Sequence, residues 1–142
     1  MQVAILSCNR IEMLKEKTKR LVDKYKIPYE IITLFVPKSQ SKDYTRAFPE
    51  WKVQKSPQGY TETFNFLYKY YDEGEYILIL HDDLVCFRKS NKNGKLQDVE
   101  FREFWGVIQR MFTQMEKNQI FFHQPPHQPQ KNDPDNFEIP RI

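Results

Sequence analysis

The chain has 142 residues, a net charge of +3, 39% hydrophobic and 15% aromatic side chains, which excludes a disordered chain and predicts one folded domain with a real core. The weak positive charge permits an anionic partner without requiring one. Two cysteines far apart, Cys8 and Cys86, exclude a disulfide framework, and no apolar run approaches the roughly 20 residues of a membrane span.

The opening MQVAILSCNR lacks a basic stretch ahead of its apolar run, so it reads as part of the fold rather than a leader. The expected setting is the cytoplasm (host cytoplasm if viral), with no membrane partner. Val3, Ala4, Ile5 and Leu6 predict a strand buried on both faces. Ser7-Cys8-Asn9-Arg10 follows as a polar turn. Leu14, Thr18, Leu21, Val22 and Tyr25 then fall on one helical face, with Lys and Glu on the other, and Ile27-Pro28 ends that helix. Residues 30–36 predict a second strand closed by Pro37. KSQSKDYTRAFPE reads as an irregular loop with one helical turn, and residues 51–54 as a short third strand.

After the turn at SPQG, Phe64, Leu67, Tyr68 and Tyr71 mark a second amphipathic helix ending near Gly74, which suits a C-terminal cap. Residues 76–80 predict the strongest strand, which runs directly into His81-Asp82-Asp83. RKSNKNGKLQ reads as a solvated loop or hairpin. Asp98 is the expected cap of a third helix, whose stripe of Phe101, Phe104, Trp105, Ile108, Met111, Phe112 and Met115 is expected to pack on the sheet. Residues 120–123 read as one more strand. From residue 124 proline recurs every few positions and predicts an extended tail. The expected organisation is a domain over 1–123 and a tail over 124–142.

Strands and helices alternating in this way predict an α/β layer structure with a mostly parallel sheet. Such sheets place ligand sites outside the carboxyl ends of their strands, where both Ser7–Arg10 and His81–Asp83 lie. A carboxylate there must be solvated, paired or bound to a cation. On extended backbone His81 and Asp83 share one face and Asp82 takes the other. A hard ion such as Mg²⁺ takes one or two carboxylates plus substrate phosphates, and would neutralise a leaving diphosphate. The plainer alternative is one Asp capping a turn while the other pairs with a Lys or Arg. His81 reads equally as a ligand, a sugar contact or a hydrogen-bonded structural histidine. Arg10 is either a surface residue or a planar donor fork. The basic loop offers phosphate contact to DNA or is simply a solvated turn. Four glycines without GxGxxG or a P-loop, and isolated cysteines, exclude the common dinucleotide, NTPase and zinc patterns.

VAILSCNRIEMLKEKTKRLVDKYKIPYEIITLFV and GYTETFNFLYKYYDEGEYILILHDDLVCF together resemble the nucleotide-binding half of GT-A glycosyltransferases. The resemblance is closer to the TET/JBP-associated glycosyltransferases of phages and large DNA viruses, and spans residues 3–122. It rests on a strand with a Ser-x-x-Arg turn, a Lys-Thr-containing helix, a Gly-led helix, a Glu-Gly-Glu turn and an acidic strand end. It implies a Rossmann-like GT-A fold and sugar transfer from a nucleotide-sugar, with a UDP-sugar as donor and Mn²⁺ or Mg²⁺ as the ion. The implied acceptor is a hydroxymethylated pyrimidine in DNA. It puts Ser7, Asn9, Arg10, Gly59, Thr63, His81 and Asp82 at the nucleotide-sugar and Asp83 on the metal. His81 replaces the family's first acid, Phe64 replaces an Arg, and the part after the acidic motif is short. These departures keep a second expectation open: a degenerate binding module acting through a partner chain or a second copy.

Overall fold

A computed structural model describes residues 1–118. The apolar runs form its centre. β1 (Gln2–Leu6) is flanked on one side by β2 (Ile32–Pro37) and on the other by β4 (Ile77–His81), with β3 (Lys52–Ser56) outside β2. All neighbours run parallel, so the order β3-β2-β1-β4 is an α/β sheet of the Rossmann-like kind. The chain moves outward from β1 through β2 to β3 and then returns to the far side of β1 for β4. The crevice between the carboxyl ends of β1 and β4 is therefore a topological switch point.

Alternating side chains along β1 serve two cores. Val3 and Ile5 face a large cluster with Leu14, Leu21, Val22 and Tyr25 of the first helix and with Phe104 and Ile108. Ala4 and Leu6 face a smaller cluster with Phe35, Leu67 and Tyr71. The first helix, α1 (residues 11–24), buries Leu14, Thr18, Leu21 and Val22, as its spacing predicts. It is α-helical over Ile11–Leu14 and Arg20–Lys24 but winds as a π-helix over Lys15–Lys19, an irregularity that recurs at functional sites.

Several expectations shift. The polar segment after Pro37 forms a 3₁₀ turn (Lys38–Gln40) and a two-turn helix, α2 (Ser41–Ala47). Its large anchors are Tyr44 and Phe48, both fully buried, in an otherwise mostly polar segment, which is why composition hid it. Residues 29–31 form a 3₁₀ turn, so β2 begins at Ile32. α3 (Tyr60–Tyr70) stops at an extended Tyr71, and Gly74 takes its positive φ in the following turn rather than as the cap.

The basic segment is a hairpin of β5 (Arg88–Ser90) and β6 (Leu96–Asp98). Asp98 lies in this hairpin and pairs with Arg88. The cap is instead a reciprocal box of Glu100 and Glu103 around the 3₁₀ turn Phe101–Glu103, which leads into α4 (Phe104–Lys117). The apolar stripe of α4 is only partly core. Phe104 and Ile108 are buried, whereas Phe101, Trp105 and Met111 are exposed, because α1 already covers that face of the sheet. The expected strand at 120–123 and the tail at 124–142 lie outside the described residues. Among the described residues no helix is long and apolar enough to cross a membrane.

Candidate functional site

The last ladder residue of β4 is His81, and Asp82 and Asp83 form the turn beyond it. Asp82 is buried. Its Oδ2 accepts the Ser7 hydroxyl at 2.8 Å and its Oδ1 accepts Arg10 Nη1 at 3.3 Å. The same Nη1 lies 3.6 Å from Asp83 Oδ2. The extended-strand expectation, with the two acids on opposite faces, is thus corrected: the strand ends one residue too early, and the turn brings both carboxylates to one guanidinium.

Two residues outside the sequence-predicted set build this corner. Tyr44 on α2 is fully buried, with its hydroxyl 2.7 Å from Ser7 Oγ and accepting the Arg10 backbone N–H at 3.0 Å. Ser7 spends its single proton on Asp82, so Tyr44 donates to Ser7. The chain of donors runs Arg10 N–H, Tyr44 O–H, Ser7 O–H, Asp82 carboxylate. Thr18, in the π segment of α1, donates to the His81 carbonyl at 2.6 Å and accepts the Leu84 N–H at 3.0 Å. One buried hydroxyl thereby clamps both ends of the acidic turn.

A cleft of about 400 Å³ opens over this corner. Ser7, Arg10 and Asp82 form one wall, and Gly59, Tyr60 and Thr63 at the start of α3 form the other. His81 stacks on Tyr60, ring centroids 5.8 Å apart and 9° from parallel. Phe64 supports Tyr60 from below, 4.7 Å between centroids. Gly59 has φ 112°, and a Cβ there would collide with the Glu62 carboxylate, so this position requires glycine. The Thr63 hydroxyl is engaged with the carbonyls of Gly59 and Pro57, so it shapes the loop and does not point its proton at a ligand.

Six of the sequence-predicted residues, Ser7, Arg10, Gly59, Thr63, His81 and Asp82, line this one cleft. Asp83 joins it only through Arg10. Asn9, with φ 56°, turns away to a neighbouring groove and donates its backbone N–H to Gln40 Oε1 at 2.7 Å. Tyr60 follows Gly59 directly and was within reach of sequence reasoning. Tyr44 carries no local signal, since it sits in a polar segment, and Thr18 reads as an ordinary core position of the Lys-Thr-containing helix.

A second groove, about 770 Å³, continues along the ends of β2 and β3. It shares Ser56 and Gln58 with the first and carries Lys38 and Lys55. Both lysines are exposed and neither has an acid within ion-pair distance among the described residues.

Comparison with protein-family models, curated proteins and solved structures gives no match. The residues themselves must therefore say which groups the cleft fits. Among the described residues no three His, Cys, Asp or Glu side chains converge as a metal-ligand set. Both oxygens of Asp82 are engaged, and Asp83 faces the Arg10 guanidinium. Asp83 Oδ2 already faces Arg10 Nη1, so Mn²⁺ or Mg²⁺ at that oxygen would compete with the guanidinium. With one cation against two carboxylates, the corner keeps one surplus negative charge.

Proposed function

We propose that the chain is the nucleotide-sugar-binding domain of a glycosyltransferase, of the GT-A type that its sequence resembles. In this reading a UDP-sugar lies in the cleft between β1 and β4, and its sugar passes to an acceptor hydroxyl. A hydroxymethylated pyrimidine in DNA is the acceptor that the resemblance suggests. The observation that carries the reading is the union of Ser7 and Arg10 with Asp82 across the switch point, opposite the stacked His81–Tyr60 pair. Carboxylate oxygens and a guanidinium suit sugar hydroxyls, and a flat ring pair offers a stacking face to a base.

In the transfer, the bond from the anomeric carbon to the diphosphate oxygen breaks and a bond to the acceptor oxygen forms. The acceptor proton needs a base. His81 at the cleft wall and Asp83 beside Arg10 are exposed titratable groups that this reading offers for it. On the basic hairpin, Arg88 and Lys89 are tied to Asp98 and Glu103, which leaves the exposed Lys92 and Lys95 near its tip for a DNA phosphate.

A second reading, a binding module without transfer, is favoured by the ion pair that ties both acids to Arg10. Titration calorimetry of UDP and of UDP-sugars, with Mn²⁺ and then with chelator, tests the first reading, and a donor-turnover assay separates the two. Binding weakened at least tenfold by Arg10→Ala and by Tyr60→Ala supports the cleft as the site. Heat in neither condition removes the nucleotide reading altogether.

A further inference from the structure

We infer that the diphosphate of the ligand is held by Lys38 and Lys55, and that the acidic corner of Arg10, Asp82 and Asp83 faces the ligand's hydroxyls. This rests on the nucleotide-binding reading and sets its orientation. The two ends of the continuous cleft differ in charge. At the β1/β4 end the corner keeps one surplus negative charge, and its guanidinium is shared between two carboxylates. A diphosphate placed there would meet like charge. The start of α3 offers no relief, because the Glu62 carboxylate already lies against Gly59.

At the other end, the strand register pairs Val36 with Lys55 and Pro37 with Ser56. Lys55 therefore lies on β3 beside Val36, and Lys38 follows two residues after Val36, in the 3₁₀ turn just beyond the end of β2. Both line the second groove and neither is paired to an acid among the described residues. Ser56 and Gln58 border both grooves, so the two adjoin there. Carboxylates accept hydrogen bonds from hydroxyls, and ammonium groups hold phosphate as point charges. The opposed charges thus select a molecule with hydroxyls at one end and a diphosphate at the other.

The test is calorimetric titration of uridine, UDP and UDP-glucose into the full chain, at two salt concentrations, with Mn²⁺ and with chelator. The variants are Lys38→Gln/Lys55→Gln and Asp83→Asn, each checked by thermal melting. The expected result is that the lysine double variant binds UDP at least tenfold more weakly, with a smaller dependence on salt, and binds uridine as the parent does. The affinity of Asp83→Asn for UDP is expected to be the same with Mn²⁺ and with chelator, as it is in the parent. UDP binding that requires Mn²⁺, is lost in Asp83→Asn and is untouched in the lysine variant would overturn the orientation while keeping the nucleotide site. No binding of UDP or UDP-glucose under any condition would overturn the site and the orientation together.

Discussion

Ser7 and Asp82 are 75 residues apart in sequence, yet the serine hydroxyl donates to the carboxylate at 2.8 Å. The bond crosses from the end of β1 to the end of β4 and is buried. Removing one partner leaves the other desolvated and unsatisfied, at a cost of about 1–3 kcal/mol. Ser7→Ala strips Asp82 of a donor and Tyr44 of its acceptor. Urea unfolding is expected to show a loss in that range, and a loss below about 0.5 kcal/mol would show that the bond contributes nothing measurable.

The Thr18 hydroxyl bridges the His81 carbonyl and the Leu84 N–H. Thr18→Val keeps the shape and deletes both bonds, and about 2 kcal/mol of stability is expected to go with them. Thr18→Ser keeps the hydroxyl and should recover most of the loss. If valine and serine variants melt alike, the clamp is not what holds the acidic turn.

Gly59 stands at φ 112° with Glu62 against it. Gly59→Ala is expected to cost about 1–3 kcal/mol from the backbone alone. Adding Glu62→Ala removes the collision but not the φ, so it should restore only part of the loss. Full recovery in the double variant would assign the whole cost to the carboxylate.

Burial pushes the Tyr71 phenol up to about 12, with Thr33 acting the other way; its hydroxyl has no hydrogen-bond partner among the described residues. The folded value lies above the ordinary one near 10, so the neutral phenol stabilises the fold fully below pH 10. That contribution is lost as pH rises from 10 towards 12. Thermal melts of Tyr71→Phe should therefore fall less steeply across this window than those of the parent chain. Parallel curves would mean that another group governs alkaline unfolding.

Much of the scaffold was legible along the chain. The apolar runs around Val3–Leu6, Ile32–Val36 and Ile77–Leu80 had to be strands, and the spacing from Leu14 to Tyr25 had to be a helix. These follow from local periodicity and burial, which neighbouring residues settle among themselves. The segment at α2 and the half-exposed stripe of α4 were not legible. Their status depends on how much sheet surface remains after α1 has packed, and no local pattern records that.

For the site the division is similar. The sequence by itself determined that two carboxylates follow a buried strand and that a Ser and an Arg follow another. Only the tertiary structure decided that β4 pairs beside β1 in place of continuing outward past β3, which sets Ser7 against Asp82. It also decided that the strand stops at His81, so that Asp82 and Asp83 both turn to Arg10, and that Tyr44 and Thr18 reach in from two different helices. A hydrogen bond or ion pair acts over a few ångströms of space, and residues 34 to 75 positions apart come within that range only through the order in which strands pair and helices cover them.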